Sequence, residues 1–261
     1  MREAVSTERT RLERVADALH APSHILFSLA IIALGIETFA CAGSLAGSLI
    51  ESDRFGPIVG PVLAAGGVGL LFKGTARTAA MATGSLLLLC SLFFEVRQYV
   101  AAPGNIALRT VLLEPLAIAA LAWLLPGQNA IPGWLARASR YLLAVSFIVF
   151  GVDHFLALAF IASFIPRWIP WHAFWSAFFG AALIAAGLSI GLNILLRWGA
   201  SCIGLMFAIW VFTLHLPRTL FGLYGGEGPH APDEWSSLFI AIALWAGSWA
   251  LASFETRTRA S

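Results

Sequence analysis

Charge is what this chain has least of: 11% of its 261 residues are charged and 59% are hydrophobic, with a mean hydropathy of +0.83. Soluble domains carry about twice that share of charge, so the composition implies an integral membrane protein in contact with a lipid bilayer. The 16 basic and 14 acidic residues leave a dispersed net charge of +2, which argues against a nucleic-acid partner. Cysteine is scarce as well. Cys41, Cys90 and Cys202 lie far apart with no CxxC spacing, so neither a redox dithiol nor a cysteine metal cluster is signalled. HExxH, CxxCH and phosphate-binding glycine loops are absent, as is any recognisable motif around a serine or cysteine nucleophile. Metal and haem are therefore not expected as cofactors, although His154, His172 and His215 with Asp153 and Glu234 supply ligand-type groups.

Long apolar runs are abundant. A helix needs about 20 such residues to cross a bilayer, and breaking the chain at its Gly, Pro and charge clusters predicts eight spans near 24–45, 57–73, 77–99, 108–125, 138–161, 172–192, 197–216 and 235–253. An all-α polytopic bundle follows, because backbone polar groups in lipid must be satisfied within each segment. The run "ILFSLAIIALGI" before "TFAC" imitates a secretory leader, but Glu37 interrupts it, and the segment is expected to be a retained helix. With both termini in the cytoplasm, eleven of the sixteen basic residues fall inside, the bias expected of inward-facing loops.

The two halves resemble each other. Gly60, Gly67, Arg77 and Glu114 recur 120 positions later as Gly180, Gly187, Arg197 and Glu234, and "GIETF" at 35–39 recurs as "GVDHF" at 151–155. This predicts a tandem duplication of a four-helix unit: a cytoplasmic segment 1–22, a first unit 23–126, a linker 127–139, a second unit 140–254 and a tail 255–261.

Ionisable residues at membrane depth are costly and mark paired sites or pathways. Asp153 and His154 stand in the outer part of the fifth span. "LHLPR" places His215 and Arg218 where Pro217 is expected to end the seventh span, and Glu234 opens the eighth. His172 stands at the start of the sixth span. These six residues are the candidate pocket or proton relay, with Trp168 and Trp171 as an aromatic wall. The first-half counterparts are Glu37, Glu95, Arg97 and Glu114, with no histidine among them. Glu114 and Glu234 are expected to begin their helices paired with Arg109 and Arg218. Blander roles are open to all of them: interhelical hydrogen bonds for Asp153 and His154, helix-end capping, lipid-headgroup contact for Arg218 and an interfacial belt for the tryptophans.

The second half, from about 140 to 253, resembles the DoxX family of small bacterial four-helix membrane proteins. The stretches that carry the likeness are "FIVFGVDHFLALAFIASFIPRWIPWHAFWSAFFGAALIAAGLSI", "RWGASCIGLMFAIWVFTLHLPR" and "DEWSSLFIAIALWAGSWAL". "LGIETF", "GGVGLLF" and "TARTAAMATGSLLLL" carry a weaker likeness in the first half. Family relatives include a membrane subunit of thiosulfate:quinone oxidoreductase, and others associate with redox-stress proteins. The resemblance implies a bacterial inner-membrane location, a quinone as the cofactor and a periplasmic or membrane redox partner. It assigns no catalytic residue and leaves the oligomeric state open. Three functions compete: a redox-associated quinone- or solute-binding subunit, a structural or partner-binding subunit without chemistry of its own, and a small-solute carrier.

Overall fold

The computed structural model describes residues 22–40, 55–127, 130–224 and 231–259; Cys41, His230 and the N-terminal segment lie outside them. The described residues form an all-helical membrane bundle. Its elements are α1 (Ser23–Ala40), α2 (Gly56–Leu71), α3 (Ala76–Cys90) continued by a π turn (Ser91–Glu95) into α4 (Val96–Ala101), and α5 (Ile106–Leu124). Then come α6 (Gly133–Leu156), α7 (Leu158–Phe164), α8 (His172–Leu192), α9 (Leu196–Trp210) continued by a second π turn (Val211–His215) into α10 (Leu216–Phe221), and α11 (Pro232–Arg259). Seven of these helices, counting α3–α4 and α9–α10 as one each, are long and apolar enough to cross a membrane, and the chain is a multi-pass membrane protein. The expected second span, α2, has 16 residues, about 24 Å at 1.5 Å per residue. That falls short of a bilayer's hydrocarbon core of about 30 Å.

Packing interleaves the two halves. α1 lies along α2 but also against α11, and α6 lies along α8 but also against α5. Each half's first helix therefore rests on the other half's last helix. Glycine makes the closest approaches. A Cβ on Gly151 would stand 2.5 Å from the Gly180 carbonyl oxygen, and one on Gly35 would stand 2.6 Å from that of Gly60. Small residues let helix backbones meet at such distances, replacing the hydrophobic drive that lipid cannot provide. Similar contacts recur elsewhere: Gly84 faces the Trp123 ring and Gly204 the Trp249 ring, while Trp123 Nε1 donates to Met81 O and Trp249 Nε1 to Ser201 O.

These paired contacts correct one sequence expectation. The connection before α5, residues 102–105, has four residues, whereas that before α11, residues 222–231, has ten. The contacts bring together Gly84 with Trp123 and Gly204 with Trp249, pairs whose glycines are 120 positions apart and whose tryptophans are 126 apart. Glu234 is the third residue of α11 and Glu114 the ninth of α5, so Glu114 does not begin its helix as expected.

Pro217 does not end its helix either. The preceding turn, Val211–His215, is π-helical, and the chain continues through Pro217 to Phe221. A wider turn accommodates the ring and missing donor that would break a regular helix. Gly222, at φ 63°, then closes α10 through its N–H to Arg218 O at 2.8 Å. The fifth span, expected to continue to 161, stops at Leu156, and α7 begins anew after Ala157.

Helix succession places Lys73, Arg77, Arg137, Arg140 and Arg197 at one end of the bundle and Arg97, Arg109, Arg167 and Arg218 at the other. Reporter fusions at residue 130 and at the C-terminus should both report cytoplasm, and one near residue 226 the opposite side. An outer signal at 130 would overturn this topology.

Candidate functional site

At the end of the bundle carrying Arg109 and Arg218, a cavity of about 850 Å³ opens between α5, α6, α7, α8, the second π turn and α11. Its walls are mainly aromatic and aliphatic: Phe150 from α6, Phe160 and Phe164 from α7, Trp175 and Phe179 from α8, Trp210 from α9, and Ile240 and Leu244 from α11. Phe179 meets Trp210 edge-on at 5.3 Å between ring centroids, and His154 stacks on the Trp210 indole at 5.7 Å and 12°. A cavity this size holds a single small ligand.

Asp153 and His154 both line it, by different means. Asp153 accepts from Arg109 at two points, Nη2 to Oδ1 and Nε to Oδ2, the latter at 3.3 Å. Asn105 sets the position of Arg109 by capping α5: its Oδ1 accepts from the N–H groups of Ala107 at 3.0 Å and Leu108 at 3.3 Å. A cation in the first turn of a helix opposes the helix dipole, so the Asp153 carboxylate offsets both that term and the loss of water. His154 Nδ1 donates to Phe150 O at 2.7 Å. The carbonyl can only accept, so Nδ1 carries a proton.

His215 closes the second π turn and lines the cavity, its Nδ1 buried without a hydrogen-bond partner. Trp175 Nε1 and Ser176 Oγ, on the first turn of α8, line the same cavity and are likewise buried and unpartnered among the described residues. Sequence reasoning missed these two, since a Trp and a Ser in an apolar helix carry no motif. Buried polar atoms are nearly always satisfied. Three unsatisfied ones on one cavity mark a place that a ligand's polar atoms would fill.

Arg218 and Glu234 form the expected ion pair, Nη2 to Oε1 at 2.6 Å and Nε to Oε2 at 2.9 Å. They stand behind the wall and do not line it. Arg218 lies 4.9 Å over the Phe164 ring, seating α7 against the cavity through a cation–π contact. The Thr219 hydroxyl, 2.8 Å from His215 O and 3.0 Å from Glu234 O, joins α10 to the start of α11.

The other expected residues divide. Trp168 lines the cavity, but Trp171 is 77% exposed and outside the lining, its backbone turned left-handed at the start of α8. His172 is also outside it. Arg97 is exposed, away from the cavity. Glu37 is buried in the first half, where the Ser236 hydroxyl donates to its Oε1 at 2.8 Å. Glu114 lines the cavity and is not paired with Arg109, whose fork is taken by Asp153. Glu95, at the end of the first π turn, is buried and outside the lining. Among the described residues, no three His, Cys, Asp or Glu side chains converge as metal ligands do.

Comparison with known proteins adds no relative: no family model matches the chain, no curated protein is similar to it, and no solved structure resembles it.

Proposed function

We propose that this chain is a DoxX-like accessory protein of the bacterial inner membrane, formed by tandem duplication, whose second-half cavity binds a quinone-class molecule for a redox partner. The observation that carries this reading is the group of unpartnered polar atoms at Trp175 Nε1, Ser176 Oγ and His215 Nδ1 on an aromatic-walled cavity. Indole N–H only donates, so the ligand must offer acceptor oxygens. The walls call for a flat apolar ring. A quinone combines both, and when bound it supplies the electron-accepting chemistry of the complex. Exposed Phe160, Trp168 and Phe178 flank the cavity, giving a lipid-borne ring an apolar approach. The paired glycine and tryptophan contacts support the duplication, and the quoted sequence stretches support the family likeness.

The test is to titrate a short-chain benzoquinone against detergent-purified protein, following tryptophan fluorescence. Saturable quenching is expected, with affinity about tenfold lower in Trp175→Phe and in His215→Ala, roughly one hydrogen bond each. Saturable binding unaffected by either substitution would remove this site. No saturable binding to the wild type would overturn the quinone reading and favour a structural subunit.

A further inference from the structure

We infer that Glu114 makes the cavity selective for the reduced, hydroquinone form of its ligand by accepting a hydrogen bond from one of the ring hydroxyls, an inference that rests on the ligand reading above. Five helices enclose the cavity in a ring: α5 packs against α6 and α11, α6 against α8, α8 against α9, and α9 against α11. In that order α5 stands across the cavity from α8 and α9. Glu114 lines the cavity from α5, whereas Trp175 and Ser176 line it from α8 and His215 from the turn that follows α9. The two ends of a ligand lying between them therefore meet different chemistry.

Most other polar groups of the lining are committed. Thr110 Oγ1 donates to Ile106 O at 3.1 Å and Thr213 Oγ1 to Ile209 O at 2.7 Å, each back to its own preceding turn. Asp153 holds Arg109, and His154 Nδ1 donates to Phe150 O. Arg218 is held by Glu234 behind the wall. Among the described residues, no hydrogen bond or ion pair engages the Glu114 carboxyl. A carboxyl left facing an apolar cavity calls for a donor from outside the chain. When ionised it only accepts, and when protonated it still keeps an accepting oxygen. Either state takes a hydroxyl hydrogen. A quinone carbonyl also only accepts, so it meets an ionised Glu114 acceptor to acceptor and bonds to it only after the carboxyl has taken up a proton. The opposite wall treats the two forms alike: Trp175 Nε1 donates to a carbonyl or a hydroxyl oxygen, and Ser176 Oγ accepts a hydroxyl hydrogen as readily as it donates its own. Discrimination between oxidised and reduced ligand thus falls to Glu114.

The test is calorimetric titration of detergent-purified protein with tetramethyl-benzoquinone and, under argon, with the corresponding hydroquinone; the methyl groups block addition of the exposed Cys202 thiol to the ring. The wild type should bind the hydroquinone about tenfold more tightly, the equivalent of one charge-assisted hydrogen bond. Glu114→Leu, which has no acceptor, should remove the preference by weakening the hydroquinone. Glu114→Gln, which offers an amide donor beside its carbonyl, should narrow the preference by strengthening the quinone. Equal affinities in the wild type, or a preference that survives in Glu114→Leu, would overturn the inference while leaving the quinone site in place. Binding of neither form to the wild type would overturn the ligand reading itself, and this inference with it. Thermal unfolding of each variant is followed alongside: where Glu114→Leu unfolds early, Glu114→Gln carries the test, and an undiminished preference there overturns the inference.

Discussion

Asp153→Asn should be among the most damaging single substitutions in the chain, lowering stability by about 3 kcal/mol. The substitution leaves the Arg109 guanidinium without its counter-charge at a place where only 23% of its side chain is exposed and its partner is 4% exposed. Breaking one side of a buried pair costs more than the pair contributes, because an unpaired charge stays behind. The N-terminal position of Arg109 on α5 adds an unfavourable dipole term. The double variant Arg109→Gln, Asp153→Asn should therefore recover much of the loss. Fluorescence-monitored melting in detergent measures both. An unchanged melting temperature in Asp153→Asn would show that the pair contributes nothing to stability, and the absence of recovery in the double variant would show that Asp153 acts through something other than Arg109. Glu234→Gln should cost less, since Arg218 keeps its contact with the Phe164 ring.

Gly151→Ala is expected to cost about 3 kcal/mol, or roughly 6–12 °C in melting temperature. The added methyl would meet the Gly180 carbonyl oxygen at 2.5 Å and the Ile184 backbone nitrogen at 3.0 Å. Neither is the flexible end of a side chain, so α6 and α8 must separate along their whole contact. The Gly180 side of the crossing is equally closed, because a methyl there would stand 2.8 Å from the His154 Cβ and 2.9 Å from the Gly151 carbonyl oxygen. Gly133→Ala, with nothing within 4 Å of the new methyl, provides the control and should be neutral. Equal melting temperatures for Gly151→Ala and Gly133→Ala would mean that the close approach does not hold the bundle together.

Seven of the eight expected spans were legible in the sequence because crossing lipid demands a length of apolar residues that little else requires, whereas α2 is apolar but too short. The gathering of polar residues at one end followed from the order of the helices, and Arg218 with Glu234 from their positions on either side of one short loop. Pairings across halves were not legible. Arg109 and Asp153 are 44 positions apart, and Glu37 and Ser236 are 199 apart, so nothing local announces either contact. The π turns left no mark because one extra residue in a turn changes neither composition nor hydropathy. That hidden change misled the reading of Pro217, which sits just beyond a widened turn and so does not interrupt the helix. Trp171 was misplaced for a related reason: its left-handed backbone, at φ 59°, turns it away from the wall that Trp168 joins, and neighbouring positions in sequence gave no sign of it.

The two halves share some contacts and differ in the side chains beside them. The π turns end in Glu95 on one side and His215 on the other, and the helices before them end in Cys90 and Trp210. The positions facing Gly35 and Gly151 remain glycine in both. A close glycine contact is thus present in each half, while the side chains that end the π turns differ. Because the first helix of each half braces the last helix of the other, the acid-bearing half buttresses the aromatic one, and the α11 wall of the cavity is steadied from across the bundle.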